Sequence, residues 1–68
     1  MELNKITWDD ILGKICTCTY KKFHIIIQNN YVTIRDLNET YKTSLIISNN
    51  DSIKNIKDRI KGIIKDII

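Results

Sequence analysis

The last eighteen residues constrain the fold more than any other part of the chain. Between Asp51 and Ile68, isoleucine recurs at Ile53, Ile56, Ile60, Ile63, Ile64 and Ile67. Wound at 3.6 residues per turn, these side chains fall in an arc of about 100°, the pattern of an amphipathic helix with one buried face. Lys54, Lys57, Lys61 and Lys65 fall in the adjoining arc of about 80° on the same wheel. Asn55, Asp58, Arg59 and Asp66 take the remainder. Most of the stability of such a helix comes from packing, so the rest of the chain must offer it an apolar surface.

That surface lies in the middle of the sequence. Residues 15 to 28 are rich in threonine, tyrosine, phenylalanine and isoleucine, which favour extended backbone. They read as one bent strand or as two pieces broken near Lys21-Lys22. Asn29-Asn30 then reads as a two-residue hairpin loop, because asparagine tolerates the positive φ such loops need. A strand from Tyr31 to Leu37, a turn near Asn38-Glu39 and a strand from Thr40 to Ile47 complete a three-stranded antiparallel meander. The two turns fix the register independently. Both place Phe23, Ile25, Ile27, Val32, Ile34, Leu45 and Ile47 on one face, and a slip of one residue would scatter that set.

Ahead of the sheet, Trp8, Ile11, Leu12 and Ile15 share one helical face, which predicts a short helix from Thr7 to about Lys14. Thr7 suits its N-cap, Asp9 and Asp10 suit its first turn, and Gly13 its end. Trp8 reads as a core anchor. Ser48, Asn49, Asn50 and Asp51 offer caps to the last helix. The expected architecture is therefore an α+β domain of order αβββα, spanning residues 1–68 as a single small domain, and beginning at Met1 as a complete product would. That order, at about this length, resembles double-stranded RNA-binding domains. The family places a basic cluster at the start of its last helix. Here those positions, Asn50 to Ile53, read Asn-Asp-Ser-Ile, so the resemblance assigns no residue.

A domain of 68 residues buries only about 60% of its unfolded surface. Dense isoleucine packing, an oligomer or a partner would offset that. Its two cysteines cannot form a disulfide framework. Cys16 and Cys18, on one side of a strand, stand roughly 6.5–7 Å apart, too far for easy bonding. Free thiols suit a reducing compartment. With no signal-like N-terminus and no apolar run near the roughly 20 residues a spanning helix needs, the expectation is a cytoplasmic protein with no membrane association. The net charge of +3 disfavours a mimic of nucleic acid and agrees weakly with a binder of it. Heavy use of isoleucine, lysine and asparagine, with arginine only at Arg35 and Arg59, tracks AT-rich coding and suggests a low-GC bacterium or a phage or mobile element living in one.

Chemistry-bearing residues are sparse. Cys16, Cys18 and His24 provide fewer ligands than a structural zinc site takes, and as a nucleophile and base they lack an orienting group and an oxyanion donor. Asp9-Asp10 and Asp58 have helical roles. No catalytic residue, metal or cofactor is expected. Two surfaces remain. The outer sheet face carries His24, Arg35 and Lys42 in one row, Ile26, Thr33 and Ser44 in the next, and Gln28, Tyr31 and Ile46 in the third. Protein contact, coverage by the first helix or by a long N-terminal strand, base stacking and plain exposure all fit it. The helix stripe Lys54, Lys57, Lys61 and Lys65 suits an anionic partner, or lays its methylenes along the core edge with the ammoniums in water.

The reading this supports is a non-enzymatic protein-binding module, of the kind of small phage or mobile-element inhibitors of host factors, anti-CRISPR and other anti-defence proteins among them. The alternatives are a nucleic-acid-binding module using the lysine stripe, and a homodimer joined through the outer face or an edge strand.

Overall fold

The computed structural model describes residues 1–13, 15–38 and 40–67. After a 3-10 turn at Leu3–Lys5, the elements are α1 (Trp8–Leu12), β1 (Cys16–Tyr20), β2 (Phe23–Gln28), β3 (Tyr31–Asp36), β4 (Lys42–Ile46) and α2 (Ile53–Ile67). The sheet is a four-stranded antiparallel meander in sequence order. The expected α+β class is correct, but the expected three strands are four. The long β-rich run is cut at Lys21-Lys22, where Tyr20 faces Phe23 across a two-residue loop. Lys21 makes the reversal by adopting φ 54, which a lysine enters at some cost. Asn29 does the same at φ 57 in the next loop, where asparagine was expected to.

The register agrees with the two turns: Ile25 faces Ile34, Ile27 faces Val32, Ile34 faces Thr43 and Val32 faces Leu45. Phe23, Ile25, Ile27, Val32, Ile34 and Ile47 are buried and Leu45 is half-buried. Cys16 and Cys18 add a further strand to this inner face, both buried and unbonded. Ile56, Ile60 and Ile64 of α2 are fully buried in the same core, and Ile53, Ile63 and Ile67 pack around them.

The ends of the elements differ from expectation for local reasons. β4 starts at Lys42 rather than Thr40 because Asp36 holds the turn. Its carboxylate accepts from the Thr40 hydroxyl and, at 3.1 Å, from the Tyr41 amide. Glu39, half of the expected turn, lies outside the described residues, as do Lys14 and Ile68. α2 starts at Ile53, not Asp51. Ser52 is the cap, its hydroxyl accepting from the Asn55 amide at 3.1 Å. Asp51 instead accepts from the Ser48 amide at 2.9 Å and meets Arg59 at 3.4 Å.

α1 is shorter than expected. Thr7 and Asp10 form a capping box, with Asp10 accepting from the Thr7 amide at 2.9 Å. The backbone becomes extended at Gly13 and the helix ends after five residues. Ile11 is buried and Trp8 packs against the core, but Leu12 and Ile15 are exposed, so the expected apolar face is only half used. Leu3 and Ile6 take the missing places. Three residues apart, they meet on one side of the tight N-terminal turn and are wholly buried.

Candidate functional site: the outer sheet face

Side chains alternate across a strand, so the strands that bury cysteine, isoleucine and valine on one face must present their other residues outward. Thr19, His24, Arg35 and Lys42 form one outward row across the four strands. Thr17, Ile26, Thr33 and Ser44 form the next, and Gln28, Tyr31 and Ile46 the third. The rows read from sequence are reproduced and gain a threonine from β1 in two of them. Both helices join the core on the other face, so α1 does not cover this one.

The third row is the most apolar. Tyr31 is 51% exposed and Ile46, its cross-strand partner, 71%. The Tyr31 hydroxyl donates to Ser44 Oγ at 2.9 Å, which tilts the ring toward β4 and fixes the phenol. Ile26 and Thr33 are half-buried between the outer rows. At the far edge, the Thr19 amide donates to the Met1 carbonyl at 2.8 Å, and Glu2 bridges to Thr19, so the N-terminus occupies the open side of β1. A shallow hollow of about 250 Å³ lies there, bordered by Met1, Thr17, Thr19, His24, Ile26 and Arg35.

The sheet separates the residues that could have formed a metal or nucleophile site. His24 points outward while Cys16 and Cys18 point into the core. Burial raises both thiol pKa values, that of Cys18 to about 11, with its neighbour Cys16 adding to the effect. Neither is a thiolate near neutrality. Among the described residues no three His, Cys, Asp or Glu side chains gather as metal ligands, and no helix is long and apolar enough to cross a membrane.

The lysine stripe is divided among different tasks. Lys54 meets Asp58 one turn on, at 3.2 Å. Lys57 reaches the N-terminal segment and donates to the Asn4 carbonyl at 2.9 Å. Lys61 lies 5.8 Å from the centre of the Tyr20 ring. Lys21 lies 5.7 Å from the same ring, and Lys65 lines the hollow beside it. Sequence reasoning missed this grouping because Tyr20 and Lys21 belong to a turn that the periodicity left unresolved. It also missed Arg59, which spans from α2 to the Ile46 carbonyl at 3.1 Å.

Compared with protein-family models, curated proteins and solved structures, the chain matches none of them.

Proposed function

We propose that the chain is a non-enzymatic protein-binding module whose contact surface is the outer sheet face. The observation that carries this is the exposed Tyr31–Ile46 pair, 51% and 71% accessible, on a face that neither helix covers. The pair is an aromatic and an aliphatic side chain on a rigid sheet, with polar and basic residues (Thr33, Ser44, His24, Arg35, Lys42) around it, as the centre and rim of an interface would be. Tyr31 is the natural anchor, since it presents a broad apolar ring with its hydroxyl already oriented.

The separation of His24 from the cysteines supports a binding role over a chemical one. The narrower form of the proposal, a small inhibitor of a host factor from a phage or mobile element, is supported by the AT-biased composition. A cytoplasmic setting is supported by the two unbonded thiols.

The test is affinity capture from lysate with the wild-type chain and with Tyr31→Asp/Ile46→Asp. A protein held by the wild type and released by the variant supports the assignment. Equal capture by both removes this face from consideration. Light scattering on the same samples separates a foreign partner from a second copy: a wild-type dimer that the variant dissociates makes the partner the chain itself.

A further inference from the structure

We infer a second binding site, on the opposite edge of the molecule from the Tyr31–Ile46 pair, for the phosphate backbone of a nucleic-acid strand. Its elements are Tyr20 and Lys21 at the first hairpin loop and Lys61, Gly62 and Lys65 on α2, which together border an open hollow of about 220 Å³. Lys21 Nζ lies 5.7 Å and Lys61 Nζ 5.8 Å from the centre of the Tyr20 ring, so the ring gathers two ammoniums from distant parts of the sequence. Lys65 stands one turn beyond Lys61, about 6 Å along the helix axis. Among the described residues, no carboxylate borders this hollow.

The contrast with the rest of the stripe is informative. Lys54 is neutralised by Asp58, and Lys57 is engaged by the Asn4 carbonyl. Among the described residues, the cations of the Tyr20 cluster have no acidic partner in the hollow, and they repel one another, a cost that a bound anion reverses. Gly62 is a second, independent sign. Glycine weakens a helix interior. Here no close approach requires it, because a Cβ at this position would meet nothing within 4 Å. Its effect is to leave the space between Lys61 and Lys65 open.

The geometry favours an extended polyanion over a single enclosed anion. The cations are lysine point charges spread over two elements, with no arginine fork among them to orient one phosphate or carboxylate. Lysines in this arrangement contact successive phosphates without reading bases. The site is separate from the outer sheet face, so it can succeed or fail independently of the function proposed above.

The experiment is fluorescence anisotropy with a labelled single-stranded oligodeoxynucleotide, and its RNA counterpart, titrated with the full chain over a range of salt. Wild-type binding is expected at low salt, with log affinity falling against log salt at a slope of about −2, as about three contacts on a single strand give. Lys65→Glu, an exposed position, is expected to lose roughly tenfold in affinity and to flatten the slope. Gly62→Glu, which keeps every lysine and improves helix propensity, is expected to do the same by placing a carboxylate in the hollow. Lys54→Glu and Tyr31→Asp/Ile46→Asp are expected to bind as the wild type does. The proposal is overturned if the wild type shows no binding at the lowest salt, or if Lys65→Glu and Gly62→Glu bind unchanged. It is equally overturned if polyglutamate displaces the strand as well as unlabelled oligonucleotide does, since the site would then be one for acidic protein.

Discussion

Arg59 in α2 donates to the backbone carbonyl of Ile46 at 3.1 Å, while its other terminal nitrogen meets Asp51 at 3.4 Å. One side chain thus ties the final helix to the end of β4 and to the loop between them. Its carbonyl partner belongs to the same residue whose side chain stands 71% exposed on the outer face. The guanidinium fork is what lets one residue hold both. Arg59→Ala is expected to lower stability by about 1 kcal/mol, a charge-assisted bond discounted for its partial exposure. Arg59→Lys is expected to recover less than half of that. Urea unfolding of the three proteins measures it.

The isoleucines divide sharply by position. Ile60 is completely buried and Ile46 is 71% exposed. Ile60→Ala is expected to cost about 3 kcal/mol, against a total on the order of 3–10 kcal/mol for a chain of this length. Its melting temperature should fall by roughly 15 °C or more. Ile46→Ala is expected to stay within about 0.5 kcal/mol of wild type. A large loss at Ile46 would mean that its side chain is packed rather than presented.

Gly62 permits the opposite kind of change. It lies exposed within α2 with open space where a Cβ would stand. Gly62→Ala is expected to stabilise the fold by about 0.8–1 kcal/mol through helix propensity alone. Thermal unfolding followed by circular dichroism reads this as a higher midpoint.

The two thiols make the fold sensitive to alkali. Burial holds the Cys18 proton up to about pH 11 in the folded chain, against a reference value of 9.0. Between those limits the folded state binds more protons than the unfolded state, so stability falls as pH rises through that window. Below about pH 9 this contribution is fully present. Cys16 shifts in the same direction. Native protein at pH 8 is therefore expected to react with a thiol reagent far more slowly than protein in denaturant, and Cys18→Ser should reduce the alkaline loss.

What could be read from the sequence follows from how periodic each part is. The α2 face was legible because its repeated isoleucines fit a helix and nothing else. The inner sheet face was legible because two turns agreed on one register. Lys21-Lys22 was harder: nothing in lysine favours φ 54, and the reversal is imposed by the pairing of Cys16–Tyr20 with Phe23–Gln28. The same fact hid the meeting of Lys61 with Tyr20. Leu12 and Ile15 matched a helical template that the extended backbone at Gly13 ends. Leu3 and Ile6, lone apolar residues between polar ones, gave too short a signal to reveal that the N-terminus closes the core. The outer-face rows followed directly from the register, and only the threonines of β1 were absent from them.

On the function proposed above, the face bearing Tyr31 and Ile46 meets a protein partner. A photo-crosslinking amino acid placed at position 31, 46 or 54, with each protein irradiated in cell lysate, tests this most directly. Discrete adducts from positions 31 and 46, and none from position 54 on the exposed side of α2, are the expected result. Adducts from position 54 with none from 31 or 46 would contradict it and move the partner surface to the helix.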